Sequence, residues 1–234
     1  MSLKLFPLGY VASDNSNSKG NFVASQLSAS ATNELFEPNA GANKVKVGFT
    51  AMSNMENRTI WTRKIGEHRH KIEYNYENIF NWEFKQIRRF MRDVASYGTN
   101  SFYVIDFSSG QKITALATGA NWNASIYDTT DFSATSGEGG RYVCIWYPHK
   151  KKFRVGIIST KVDDSSIEFS NTSDFGDLQD FSVGNVYAYP MYRCYLADVN
   201  EDFRTTGFID THLNASFVGP VRSGTVRFLQ RDIK

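Results

Sequence analysis

Between Asn78 and Tyr97 the apolar residues Phe80, Phe84, Ile87, Met91 and Val94 recur at alternating spacings of four and three. That rhythm lays a single apolar stripe along a helix. The remaining apolar runs favour alternation at period two, the mark of half-buried strands. The chain must therefore fit one long helix, about 78–97, against a body made of strands. Asn78 is the expected N-cap, and Gly98 stands where a left-handed residue closes a helix. Lys85, Arg88, Arg89 and Arg92 take the rest of the surface towards the C-terminal half, where cations suit the helix dipole.

The strand signals are distributed on both sides of that helix. Val45, Val47 and Phe49 fall on one face of a strand over 45–50. Arg58 to Ile65 and Lys71 to Tyr76, separated by Gly66, are expected to pair as a hairpin. Ser101 to Phe107 is apolar on both faces, and Ile113 to Ala117 and Asn121 to Tyr127 follow as further strands. Arg141 to Tyr147 and Phe153 to Thr160 flank a basic tip, Pro148-His149-Lys150-Lys151-Lys152, and predict a second hairpin. Val186 to Tyr189 and Met191 to Val199 are two aromatic strands around Pro190. Leu213 to Val218 and Thr225 to Leu229 are expected as a closing pair turned by Gly219-Pro220 and Ser223-Gly224. The fold class expected is mainly β (α+β), a β-sandwich or split barrel with one long flanking helix. Composition shifts near Thr114 to Gly119 and Phe203 to Gly207 divide it into an extended arm (1–44), a first domain (45–114 plus 205–234) and an inserted β-rich domain (115–204).

Composition agrees and narrows the function classes. Aromatic residues make up 15% of the 234 residues, which favours pleated, half-buried surfaces. The 26 Lys and Arg against 24 Asp and Glu leave a net charge of +2, without the basic excess of a dedicated nucleic-acid binder. Cys144 and Cys194 are too few for a disulfide scaffold or a four-cysteine zinc site, and whether they pair is open. No apolar run is long enough for a membrane span, and the first ten residues lack the apolar core of a secretory signal.

Chemistry-bearing motifs are sparse. His68-x-His70 could put two imidazoles on one strand face, but no third ligand stands at a zinc-site spacing, and a solvated basic turn between strands is expected there. His212 lies beside Asp210 without a Gly-x-Ser-x-Gly nucleophile motif. Asp174-Phe175-Gly176 spells a kinase motif with none of its companions. The acidic pairs near Asp128 to Asp131 and Asp163-Asp164 lack calcium-loop spacing and are expected as solvated turns. The basic residues between Arg58 and Arg92 are interleaved with Glu56, Glu67, Glu73, Glu77 and Glu83. That mixture suits either a subunit interface or an ordinary solvated face. Tyr187, Tyr189, Tyr192 and Tyr195 suit either a sugar-stacking surface or core strands. No enzyme activity, cofactor or metal is expected.

The run from Arg58-Thr-Ile-Trp61 to Ile72-Glu-Tyr-Asn-Tyr76, the helical Trp82-Glu-Phe-Lys-Gln-Ile-Arg-Arg-Phe-Met91 and the strand Ser101-Phe-Tyr-Val-Ile-Asp-Phe107 together resemble the tail-tip proteins of tailed bacteriophages. Those are the minor tail, distal tail and baseplate hub families. The resemblance covers about residues 45–115 and the last 25, and lies in the order of elements. It implies a tail-tube-like β domain assembled as a ring that connects tail tube to tip components. The protein would then be a non-enzymatic part of the virion, assembled in the host cytoplasm, with itself and other tail proteins as partners. No membrane association or direct nucleic-acid recognition is implied. Trp61, Lys85, Arg88, Arg89 and Arg92 are the subunit-interface candidates. The alternative, a carbohydrate- or receptor-binding β-module, would use Tyr187, Tyr189 and Tyr192 to stack a ligand. The cysteine cluster that some minor tail proteins carry is missing.

Overall fold

A computed structural model describes residues 5–6, 38–47, 50–54, 60–64, 69–93, 95–117, 121–136, 138–147, 152–170, 185–197, 204–209 and 219–231. The strands are β1 (Leu5–Phe6), β2 (Ala42–Val47), β3 (Thr50–Asn54), β4 (Ile60–Lys64) and β5 (Arg69–Phe80), followed by helix α1 (Asn81–Asp93). Then come β6 (Phe102–Ile105), β7 (Gln111–Lys112), β8 (Ala115–Ala117), β9 (Asn121–Ser125), β10 (Tyr142–Tyr147) and β11 (Lys152–Asp163). The last are β12 (Ser166–Ser170), β13 (Tyr187–Leu196), β14 (Arg204–Ile209) and β15 (Gly219–Gln230). The mainly β expectation holds. Thirteen strands share one sheet, antiparallel except where β1 runs parallel to β6, and β3 and β4 form a separate two-stranded sheet.

Strand β13 is the hub. One of its edges pairs with β10 along Tyr187–Met191 and with β15 along Cys194–Leu196. Its other edge pairs with β7 at Tyr187 and Ala188 and with β6 from Met191 to Cys194. From β13 the ladders pass through β10, β11, β12, β9 and β8. The chain from β8 back to β7 returns to β13, with Thr114 N–H donating to Ser125 O and Ile113 N–H to Val186 O, each at 2.9 Å. The hydrogen bonds thus close a circuit. One core fills it, including Trp122, Ile145, Ile158, Ile167 and Phe169. A second core lies where α1 packs with β1, β5, β6 and β15, and contains Phe6, Tyr74, Phe90, Phe102 and Phe228. Strand β10 serves both, sending Val143 and Ile145 to the first core and Cys144 and Trp146 to the second, as period-two alternation dictates.

Several expected elements are corrected. The helix has 13 residues and not the span 78–97, because 76–80 continue as strand and pair with β15 as far as Phe80 opposite Val221. Asn78 does not cap the helix. It has φ +52° at a register shift in β5, and its N–H donates to Ser223 Oγ at 3.0 Å. Asn tolerates that left-handed backbone better than most residues. A separate 3-10 turn, Ser96–Gly98, follows α1, and Gly98 is left-handed there, with φ +97°. The buried face of α1 is Phe84, Ile87, Phe90 and Met91, and Val94 lies outside the described residues.

The hairpin expected between 58–65 and 71–76 is not formed. Strand β4 pairs with β3, and β5 pairs with β2 and β15. Ser223-Gly224 does not turn a closing pair, since it lies inside β15, which pairs with β14, β5 and β13; residues 213–218 lie outside the described residues. The two strands expected around Pro190 are one. The Pro190 carbonyl accepts from Asp106 N–H at 2.9 Å. The same edge of residue 190 faces the gap between β7 and β6, where no strand asks for the missing N–H. The hairpin of β10 and β11 forms as expected.

No helix among the described residues is long and apolar enough to cross a membrane. Of the arm over 1–44, Leu5–Phe6 and residues 38–44 are described, and Phe6 is buried against Tyr74, Phe90 and Phe228.

Candidate functional site: a buried ion cluster between the two cores

The most concentrated polar chemistry among the described residues gathers around Lys44. Ala42 packs against the second core, and alternation puts Lys44 on the same face of β2. Its side chain is only 12% exposed. The ammonium lies 2.6 Å from Asp131 Oδ1 and 2.9 Å from Asp106 Oδ2. It also lies 3.4 Å from the Tyr192 hydroxyl and 5.3 Å from the centre of that ring. Asp106 has no exposure at all, whereas the Asp131 side chain is 37% exposed.

Each partner is placed by local structure. Asp106 follows β6 and caps the start of a 3-10 turn, Phe107–Ser109, where its Oδ1 accepts from Ser108 N at 3.0 Å and Ser108 Oγ at 2.5 Å. Asp106 Oδ2 makes no hydrogen bond of good geometry, although the ammonium is near it. Its environment is therefore electrostatic contact on one oxygen and two donors on the other. Asp131 sits in the loop before β10. Gly139 and Gly140 close that loop down: a Cβ on Gly139 would collide with the Tyr192 ring, and one on Gly140 with the Asp131 carbonyl. Gly140 also has φ +79°, which excludes most side chains.

Across the Tyr192 ring, 5.1 Å between centroids, lies His70. Gln230 Oε1 accepts the His70 backbone N–H at 3.1 Å and lies 2.9 Å from Nδ1. An oxygen already accepting one N–H assigns the ring proton to Nδ1.

The electrostatics follow from burial and neighbours. Burial disfavours the Lys44 ammonium, but the hydrogen bond to Asp131 and the charge of Asp106 outweigh it and hold the pKa above the usual lysine range. Burial likewise opposes the Asp131 carboxylate, and the Lys44 hydrogen bond overcomes it, so its pKa is lowered. Burial lowers the pKa of His70, the Gln230 hydrogen bond opposes this, and the Lys44 charge adds to the depression. Burial raises Tyr192. The site is thus one ammonium between two carboxylates, beside a neutral imidazole and a protonated phenol.

A pH dependence follows with a definite sign. A histidine with a depressed folded pKa takes its proton more readily in the unfolded chain, so stability falls as the pH drops through about 6.5. Asp131 acts in the same direction at lower pH. The groups facing His70 are Lys44, Asp106, Asp131, Tyr192 and Gln230. Thermal melts are expected to show Tm falling between about pH 7.5 and 5.5, with a shallower slope in His70→Gln. An equal slope in that variant would remove His70 as the cause.

The sequence-expected residues sit elsewhere. Lys85, Arg88 and Arg92 are on the exposed side of α1. The Phe84 ring lies beneath the Arg222 and Arg88 guanidinium groups, at 4.6 and 5.8 Å. Trp61 belongs to β4 and Arg89 to α1, their side chains lying outside the described ones. Tyr187 and Tyr189 are half-buried and stacked at 6.2 Å, and Tyr189 also packs on Phe107. Tyr192, 3% exposed, does not join them at the surface. Asp128 and Asp163 cap tight turns through Thr130 and Ser165, as solvated turns do, but Asp131, expected in the same solvated turn, is instead ion-paired to the buried Lys44. His68, His149, Asp210 and His212 lie outside the described residues.

Among the described residues no group of three or more His, Cys, Asp or Glu is arranged to hold a metal ion. The Lys44 ammonium fills the space between the two carboxylates. No protein-family model matches the chain, and no curated protein matches it in sequence.

Proposed function

We propose that this protein is a non-enzymatic structural component of a phage tail tip or baseplate, assembling as a ring that connects tail tube to tip components. The observation that carries this reading is the hairpin of β3 and β4, which bears Trp61. Its strands hydrogen-bond only to each other among the described residues. A two-stranded ribbon is marginal in water and needs a surface to pack on, and a neighbouring subunit supplies one. We read the closed circuit beside β13 and the open strands beyond it as a split barrel, with the 115–204 region as the decorating insertion. The exposed Lys85, Arg88 and Arg92 row on α1 gives the same ring a second contact face. The virion would be its location, with the chain itself and other tail proteins as partners.

The test is co-expression with phage tail-tube and hub proteins. Co-purification is expected, weakened by Trp61→Ala and by Arg88→Glu with Arg92→Glu. Failure to co-purify with either partner would count against the reading. The stacked pair Tyr187 and Tyr189 favours a second reading, a carbohydrate- or receptor-binding module. A glycan array without hits would eliminate that one.

A further inference from the structure

The Lys44 cluster is more than an ion pair in one respect. The amine nitrogen stands 2.9 Å from an oxygen bonded to the carboxyl carbon of Asp106, in a setting that treats the two oxygens of that carboxyl differently. Oδ1 accepts from Ser108 N–H and Ser108 O–H. Oδ2 faces the amine with no hydrogen bond of its own. Asp131, a second carboxylate, touches the same amine at 2.6 Å.

We propose that Lys44 and Asp106 condense to an intramolecular amide, with Asp131 relaying the protons. Asp131 takes one proton from the ammonium and passes it to Asp106 Oδ2. The free amine then attacks the Asp106 carboxyl carbon, forming the C–N bond. Negative charge develops on Oδ1, where the two Ser108 donors already point, the arrangement that stabilises an oxyanion. Asp131 takes a second proton, now from the attacking nitrogen, and delivers it to Oδ2. The C–Oδ2 bond breaks and water leaves. Of the three ammonium protons, two depart in that water and one stays on the amide. Nothing is oxidised or reduced, and no co-reactant is needed. Holding nucleophile, carboxyl and proton relay together is what makes such a step accessible.

The ordinary reading of the Ser108 bonds is a turn cap, and of the cluster a buried ion pair. Two facts favour the amide. The Lys44 and Asp106 side chains are 12% and 0% exposed, and condensation replaces a buried ion pair, costly to desolvate, with a neutral amide. The link also ties edge strand β2 to the end of β6, closing a long loop of chain, which restrains the unfolded state. It does not depend on ring assembly, and either proposal can fail alone.

The test is the intact mass of the full chain, folded, stored at neutral pH and measured denatured. The expected mass is lower than that of the sequence by one water, with full mass in Lys44→Met. Proteolysis is expected to yield a branched peptide joining residues 44 and 106, and Asp131→Asn to lose or greatly slow its formation while keeping the wild-type circular dichroism. An unshifted wild-type mass overturns the proposal. So does a water loss that maps to a linear peptide or to a link with Asp131.

Discussion

Lys44→Met is expected to destabilise the protein by about 3–5 kcal/mol, the cost of leaving the buried Asp106 carboxyl without its partner, together with loss of the cross-link where the amide has formed. The reason is Asp106. Its side chain has no exposure, and the Lys44 nitrogen 2.9 Å from Oδ2 is the charged neighbour that would be lost. Asp131, at 37% exposure, can turn to water for compensation. Asp106→Asn in the Lys44→Met background is therefore expected to restore a large part of the loss, whereas Asp131→Asn restores little. Neither chain in that comparison can form an amide, so it isolates the charge itself. Urea unfolding midpoints give the measurement. A Lys44→Met protein as stable as the wild type would show that Asp106 does not depend on Lys44.

Phe228→Ala is expected to cost about 3–5 kcal/mol, in the range for emptying a large aromatic site from a packed core. Phe228 is fully buried on β15, with ring centroids of Phe6, Tyr74 and Phe102 at 5.1, 5.2 and 5.8 Å. It therefore joins four separate segments: β1, β5, β6 and β15. Removing it opens a cavity where these meet and loosens the anchor of Phe6. Tyr127→Ala, at 76% exposure, is the control and is expected to change stability by less than about 0.5 kcal/mol. Equal midpoints for the two variants would contradict the core assignment.

The strand content and the helix face were legible because burial writes itself into spacing. Phe84, Ile87 and Met91 keep helical spacing, and Ile72, Tyr74 and Tyr76 keep strand spacing, and all six are buried. Partner choice was less legible. Nothing local told β4 to pair with β3 instead of β5, because pairing is decided by which edges the rest of the sheet leaves open. Nor did Ser223-Gly224 announce itself as strand, since turn residues also serve at bulges, where Asn78 opposes them. Helix length failed for a related reason: Tyr76, Ile79 and Phe80 satisfy either period, and the ladder with β15 decided.

The ion cluster was almost invisible. In Lys-Val-Lys-Val a reader turns the valines inward, yet Lys44 faces the core beside Ala42. The available signal was Asp106, a carboxylate inside the apolar run Phe102 to Phe107. A buried charge of that kind demands a partner, and the nearest lysine in the fold comes from a strand about sixty residues earlier. Nor does Gly139-Gly140 announce the cluster, although each glycine is required by close packing around Tyr192 and Asp131.

The ring reading rests most directly on the mass of the purified protein in solution. Light scattering on a size-exclusion column is expected to give a single cyclic oligomer, or a defined complex once tail-tube protein is added. A monodisperse monomer that stays monomeric with tail-tube and hub proteins present would contradict it.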